Sequence, residues 1–355
     1  MRILMLNTER GWRGGERQTL LSLTGMARAG HEVCLLAREG GALAQAAREA
    51  GVQTVEFASM PALCRALWQR RAAFDIMHAQ TAAAMTALAL LRPFLRARTV
   101  FTRRTAFAVN RRLRLTAWKW RRADVFLAIS AAAAQGPRSL GLTVHAIIPS
   151  AVPFLPVNEH ELETLRERIP FTGRTIIATV AALTPEKDPL TLVRAMDVLR
   201  RQHPDALCLH FGADGDMSEA VRAEITRLGL QEHYVLAGFT EHITDAYRLM
   251  DVFVLASREE ALGSSVLDAF VYGVPAVVTR AGGLADLVAE GRGLSCPVGD
   301  ADCLAQALAQ VLDDAALRQQ LVTRALAYVH AEHAPEVMVA RTLAAYGVPA
   351  DSVES

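Results

Sequence analysis

Short, near-continuous apolar runs recur along the chain and alternate with longer stretches of helical period. The chain opens with RILMLN, a glycine-rich turn GWRGG, the periodic segment ERQTLLSLTGMARA and then HEVCLLAR. QTVEFA, DIMHAQ, TVFTRR, VFLAIS and VHAIIPS continue the series, with helical stretches between them. A strand with one face in water alternates apolar and polar residues, whereas these runs are apolar throughout. They therefore predict a parallel sheet covered by helices on both faces.

Three prolines within IPSAVPFLPVN, residues 148–158, interrupt the rhythm and suit an interdomain hinge. It then restarts with TIIATVAAL, ALCLHFG, YVLAGF, DVFVLAS, PAVVTR and GLSCPV, spaced by helical segments such as DPLTLVRAMDVLRRQ and DCLAQALAQVLDD. The expected architecture is α/β, with two doubly wound Rossmann-like domains, 1–152 and 153–330, facing across a cleft. A terminal helix, 331–355, is expected to cross back onto the first domain. Ligand is expected at the carboxyl ends of the strands.

With 355 residues and 52% hydrophobic content, the chain has enough material for two cores. Charge interrupts every apolar run before the roughly 20 residues needed to span a bilayer. The start MRILMLNTERGWRGGE lacks the apolar centre of a signal peptide and reads as the first strand. Cys34, Cys64, Cys208, Cys296 and Cys303 form no CxxC pair and read as reduced thiols of a cytoplasmic protein. His330 and His333 of HAEH have helical spacing but no third partner in sequence, so a solvated helix face is expected and no metal site. A net charge of +1 conceals a division: the first 150 residues carry 22 Arg and Lys against 8 Asp and Glu, a net +14, and the remainder carries −13. Such asymmetry suggests different partners for the two halves, or attraction between them. Only two lysines, Lys119 and Lys187, accompany 36 arginines.

Candidate chemistry follows the strand ends. After the first strand, Gly14, Gly15 and Glu16 open a helix, where backbone amides attract an anion; a plain strand-to-helix turn fits the same residues. Neither GxGxxG nor a Walker sequence is present. In VAALTPEKDPLTLVRA, Lys187 precedes a helix capped by Asp188 with Pro189 in its first turn. An ammonium beside a helix start is unfavourable unless an anion shares the site, although a solvated loop lysine is equally compatible. FGADGD reads as a turn, and Phe239 in VLAGFT either borders a base or packs in a core. In SREEALGSSVLDAFVYGVPAV, Glu260 and Asp268 bracket Gly263, Ser264 and Ser265 at a helix start. Carboxylates grip hydroxyls, while amides and Lys187 take phosphate. A ligand with sugar hydroxyls, ribose hydroxyls and a diphosphate uses all of these, and that ligand is a nucleotide sugar.

From GWRGGERQ through DIMHAQ, RRADVFLAIS, IPSAV, VAALTPEKD, FGADGD and VLAGF to EEALGSSVLDAFVYGVPAVVTRAGGLADLV, the chain resembles the retaining GT-B glycosyltransferases of family four. The family's E-x7-E segment stands here as Glu260-x7-Asp268, followed by Gly273-Val274-Pro275 and Gly282-Gly283. By resemblance, Glu260 holds donor-sugar hydroxyls, Ala261, Leu262, Gly263 and Ser264 offer backbone amides, and Asp268 holds the ribose. Lys187 takes the diphosphate, and Gly14 and Gly15 approach it from the other domain. Three positions depart from the family pattern. Asp268 replaces a Glu, Ala182 replaces the Arg of V-G-R-L, and Arg103 and Arg104 end a strand that in many members ends in His, while Gln80 stands where D-x-x-H-x-H puts its second His. Arg104 or Arg103 is a candidate replacement cation.

The resemblance implies front-side transfer with retention, with Lys187, Glu260 and Arg104 as the catalytic set, no metal and no cofactor beyond the nucleotide-sugar co-substrate. The implied pathway is cell-envelope polysaccharide or lipopolysaccharide synthesis. A catalytically silent nucleotide-sugar-binding partner subunit and a nucleotide-sugar epimerase of the same fold are the alternatives. The arginines form no nucleic-acid-binding motif. RRLRLTAWKWRRAD, residues 111–124, interleaves Arg111, Arg112, Arg114, Lys119, Arg121 and Arg122 with Leu113, Leu115, Trp118 and Trp120. Tryptophans packed inward on the sheet are one reading of this segment. The other, favoured by the basic first half, is peripheral docking to the anionic inner face of the cytoplasmic membrane, with an anionic or lipid-linked glycan acceptor.

Overall fold

The structure, a computed structural model, describes residues 1–106, 113–156, 158–168, 173–240 and 243–347. The chain divides into two units, Met1–Ala151 with Glu332–Ser355, and Val152–Ala331.

The first unit is built on seven strands: β1 (Arg2–Leu6), β2 (Glu32–Arg38), β3 (Gln53–Phe57), β4 (Ile76–Ala79), β5 (Arg98–Arg103), β6 (Val125–Ala128) and β7 (Ala146–Ile147). They lie in the order β3-β2-β1-β4-β5-β6-β7, all parallel. Successive side chains of β1 serve opposite faces: Ile3 and Met5 join a core with Leu35 and Val100, while Leu4 and Leu6 join another with Met77 and Phe101. Both faces are covered, which is why the strand reads as an unbroken apolar run.

The helix Pro335–Tyr346 packs on the helix Gly14–Arg28 within this unit. The contact needs a bare backbone, because a Cβ on Gly25 would lie 2.5 Å from Val339 Cγ2. His333 departs from the expected solvated face. It is buried, and its Nδ1 lies 2.8 Å from the carbonyl oxygen of Ser150, because helix packing takes this side of the turn out of water.

The second unit repeats the plan with β8 (Thr175–Val180), β9 (Ala206–Phe211), β10 (Tyr234–Gly238), β11 (Val252–Leu255), β12 (Ala276–Thr279) and β13 (Leu294–Cys296). The order is β10-β9-β8-β11-β12-β13, again parallel. Ile177, Cys208, Val254 and Val277 meet Leu192 and Met196 of the helix Pro189–Leu199 and Leu304 and Leu308 of the helix Ala301–Asp313.

In each sheet the strand order reverses at one place, β1 beside β4 and β8 beside β11. The adjacent connections leave in opposite directions there, opening a crevice at the carboxyl ends. Of the expected hinge, residue 157 lies outside the described residues. Before it, Ala151 exchanges two hydrogen bonds with Gln18, and Leu155 bonds the Tyr272 hydroxyl. Cys34, Cys208 and Cys296 are buried, Cys64 and Cys303 half-buried, and all five are free thiols. Among the described residues no helix is long and apolar enough to cross a membrane.

Candidate active site

The polar residues singled out in sequence collect at the carboxyl ends of the strands, in one cluster per unit. In the second unit, Lys187 and Glu260 are brought into a direct ion pair across 73 positions of sequence, with both side chains largely buried. Backbone contacts hold the two loops together: the amides of Arg258 and Glu259 both donate to the Glu186 carbonyl, at 2.8 and 3.3 Å.

Glycines explain how Glu260 is positioned. Gly282 sits at φ +52°, and a Cβ there would lie 1.9 Å from the Glu260 carbonyl oxygen; on Gly283 it would lie 2.4 Å from that of Ala261. The Gly283 amide donates to the Glu260 carbonyl at 3.1 Å. A side chain at either position would push the acidic loop away, so the Gly282-Gly283 pair is a backbone clamp. Gly212 serves the Lys187 loop in the same way, since a Cβ there would lie 1.9 Å from the Ala181 carbonyl oxygen. The loop is tied further by hydrogen bonds from the Leu183 amide to Ala213 and from the Met217 amide to Leu183.

Asp188 does not cap as expected. It sits in the left-handed region at φ +44°, and its buried carboxylate accepts from the Thr191 hydroxyl at 2.7 Å and the Arg258 Nε at 3.0 Å. The left-handed turn aims the side chain at Arg258 rather than at the helix amides. Arg258 is a candidate that sequence reading missed: it brings a guanidinium onto the loop beside Lys187, where Ala182 provides no charge.

Gly263, at φ +89°, starts the helix Ser264–Val271, whose first amides have no intrahelical acceptor. Ala261 is half-buried, Leu262 is buried, and Asp268 is 6% exposed on the next turn. Helical side chains lean toward the N-terminus, so Asp268 and Ser264, four apart, share one face. Phe239 is 64% exposed, after a bulge in β10 at Gly238, and borders a cavity of 290 Å³ with Leu183, His210, Gly212 and Leu236. It is not a core residue. His210 is buried between the Tyr234 hydroxyl and the Ala181 carbonyl, and burial lowers its pKa to about 4. Two hydroxyls on the same loops, Thr184 and Ser257, are buried without a hydrogen-bond partner among the described residues.

In the first unit, Gly14 and Gly15 begin the first helix as expected, and the Arg104 stem rests over that turn: a Cβ on Gly15 would meet Arg104 Cδ at 3.6 Å. Glu16 is buried, and both of its oxygens serve the protein. One accepts from Asn7 Nδ2 at 3.0 Å, the other from the Arg13 amide at 3.1 Å. The second of these is the bond of a helix capping box.

The neighbouring arginines part company. Arg103 is 5% exposed, lies over the Trp120 ring at 5.0 Å and presses on Gly136, where a Cβ would lie 2.1 Å from its Nη1. Arg104, one residue past the strand end, instead donates from Nε at 3.1 Å and Nη2 at 2.8 Å to Gln80 Oε1. Burial lowers its pKa to about 10. Arg103 therefore packs, and Arg104 remains the candidate cation. Among the described residues no group of three or more His, Cys, Asp or Glu side chains is placed to hold a metal ion.

Two doubly wound parallel-sheet units with polar loops at their switch points define the GT-B fold. Anabaena HepE, solved in complex with UDP and glucose, superposes with a TM-score of 0.85 at 18% identity, over 98% of this chain and 99% of that one. A glycosyltransferase from Rickettsia africae gives 0.83 at 19% identity, over 100% and 99%. The family model described as Glycosyltransferase Family 4 matches residues 12–152, and that described as Glycosyl transferases group 1 matches 162–327. The chain belongs to the family-four glycosyltransferases. Mannosylfructose-phosphate synthase of Agrobacterium fabrum is 32% identical over 149 residues, 39% of this chain and 32% of that protein. The lipopolysaccharide core biosynthesis glycosyltransferase LpsE of Rhizobium meliloti is 32% identical over 164 residues, 43% and 48%. The match thus spans about a third of the first of these relatives and about half of the second.

Proposed function

We propose that this protein transfers a sugar from a nucleotide-sugar donor to a glycan or lipid-linked acceptor, with retention at the anomeric carbon. The observation that carries this reading is the Lys187–Glu260 ion pair, held on glycine-clamped loops at the β8–β11 switch point. Lys187 stabilises the charge that develops on the leaving diphosphate, assisted by the first-turn amides at Ser264; fixed donors of this kind lower a barrier because they need no reorganisation. Glu260 orients the donor sugar through its hydroxyls, and Asp268 receives the ribose. Phe239 and its cavity accept the base, and Arg104 contacts an anionic group. Metal plays no part in this scheme. HepE was solved with UDP and glucose, and LpsE acts in lipopolysaccharide core synthesis; these relatives support a nucleotide-sugar donor and a cell-envelope product.

The acceptor side of the proposal includes docking on the inner face of the cytoplasmic membrane. On the helix Leu113–Trp120, Leu113, Leu115 and Trp118 are exposed and the Arg122 guanidinium lies 5.0 Å from the Trp118 ring, whereas Trp120 is buried. Arg111 and Arg112 lie outside the described residues. Exposed basic and aromatic side chains suit an anionic headgroup layer, at roughly 1 kcal/mol per basic residue near the surface.

A panel of nucleotide sugars, followed by nucleoside diphosphate release with and without membrane glycolipid acceptors and by the anomeric configuration of the product, tests the reaction. Acceptor-dependent release with a retained product is expected. Donor turnover without any acceptor would favour the epimerase, and binding without turnover the silent subunit. Sedimentation with anionic and neutral vesicles at low and high salt tests the docking: salt-sensitive pelleting with anionic vesicles alone is expected, and no pelleting with either would remove it.

A further inference from the structure

Both described hydrogen bonds of the Arg104 guanidinium end on a neutral oxygen, Gln80 Oε1. Gln80 is only 4% exposed and closely held: its amide donates to the Leu6 carbonyl at 2.9 Å, and its Nε2 lies 3.9 Å from Met5 Sδ and 3.2 Å from His78 Nδ1. A guanidinium only donates, so the glutamine must present its oxygen to Arg104 and its NH₂ to the other side. That other side carries no charge at neutral pH. His78 lies between the Tyr346 hydroxyl at 2.6 Å and Thr102 Oγ1 at 2.7 Å, and burial, with Arg104 nearby, lowers its pKa to about 3. The carboxylate whose charge favours protonated Arg104, that of Glu16, spends both oxygens on Asn7 and the Arg13 amide.

A structural arginine at such a place is ordinarily paired with a carboxylate or stacked on a ring, as its neighbour Arg103 is stacked on Trp120. Arg104 is fixed through two donors on one amide oxygen, and no carboxylate oxygen is among its described hydrogen-bond partners. Burial penalises the guanidinium charge, and the penalty is relieved when an anion arrives. We propose that Gln80 is a positioning residue, a neutral clamp that aims Arg104 at a phosphate-class anion beyond the ends of β4 and β5, beside the start of the Gly14–Arg28 helix. The inference rests on the transferase reading only for the source of that anion, which is either the donor's diphosphate or a phosphate on the acceptor.

The test replaces the neutral amide with a carboxylate of the same shape. Wild type, Gln80→Glu, Gln80→Met and Arg104→Gln, all in the full chain, are titrated with inorganic pyrophosphate and compared in thermal unfolding. Gln80→Glu is expected to keep the clamp and the melting temperature but to neutralise Arg104, weakening pyrophosphate binding ~10-fold, as Arg104→Gln does. Gln80→Met removes the clamp without adding charge and is expected to lose less affinity than Gln80→Glu. In transfer assays, a raised donor KM in Gln80→Glu assigns the anion to the donor, and a raised acceptor KM with unchanged donor KM assigns it to the acceptor. Pyrophosphate binding is read whether or not any donor turns over, so a failed donor panel would count against the transferase and leave the clamp standing. Wild-type pyrophosphate affinity in Gln80→Glu would overturn the clamp. So would equal losses in the Glu and Met variants that track lost thermal stability.

Discussion

In the second unit a lysine is held by a carboxylate, and in the first an arginine is held by an amide. The difference lies in the charge each pair leaves available. Lys187 and Glu260 neutralise each other until a ligand intervenes, and each has something to offer it, the ammonium to phosphate and the carboxylate to hydroxyls. Gln80 leaves Arg104 fully charged and offers nothing to hydroxyls itself. One cluster is suited to a ligand with both an anion and a polyol, the other to an anion alone.

The most damaging way to break this contrast is Lys187→Ala. Loss of a charge-assisted phosphate contact at the developing charge is expected to cost ~2–4 kcal/mol in transfer. Initial rates at low donor concentration measure it, and near-normal turnover would remove Lys187 from the chemistry. Next comes Gly282→Ala, which leaves every charge in place but drives a methyl into the Glu260 carbonyl at a left-handed backbone position. A loss of about 1–3 kcal/mol of stability, with reduced turnover, is expected from denaturant unfolding and kinetics. Unchanged behaviour would show that the loop is not clamped there.

Acid should loosen both units. The folded-state pKa values of His78 and His210 are lowered from 6.5 to about 3 and about 4, so below about pH 6.5 the unfolded chain binds protons that the folded chain refuses. Stability therefore falls as pH drops through that window, by about 1–2 kcal/mol per imidazole near pH 5. Urea midpoints at pH 7 and pH 5 check it, and flat midpoints would contradict the buried neutral assignment. The smallest expected effect is that of Arg258→Gln. It removes the exposed guanidinium beside the Lys187 loop and one partner of Asp188, for about 1 kcal/mol in diphosphate affinity. Full affinity in this variant would leave the charge missing at Ala182 unreplaced.

The strands were legible because each is buried on both faces, so that RILML or VFVL carries its own signature. Lys187 and Glu260 stood out as candidates because each lies between a strand end and a helix start, and Asp268 because of its spacing from Glu260. Their pairing was not. The Lys187–Glu260 contact spans 73 residues and the His78–Tyr346 contact 268, and no local pattern encodes either. In sequence Gly282 is only part of the family's glycine pair, and its close approach to the Glu260 carbonyl shows only in the structure. Arg103 and Arg104 are indistinguishable in sequence, and what separates them is that the first packs on Trp120 and the second lies over the Gly15 turn.

The most direct measurement is calorimetric titration of wild type, Glu260→Gln and Asp268→Glu with the nucleoside diphosphate released in the donor panel, alongside turnover by the same samples. Glu260→Gln frees Lys187 from its carboxylate and removes the group that orients the sugar. It should bind the diphosphate at least as tightly as wild type while turnover falls by ~100-fold or more, and Asp268→Glu should keep most of both. Weakened diphosphate binding with turnover preserved in Glu260→Gln, or equal losses in the two variants, would contradict the assignment of this ion pair as the donor site.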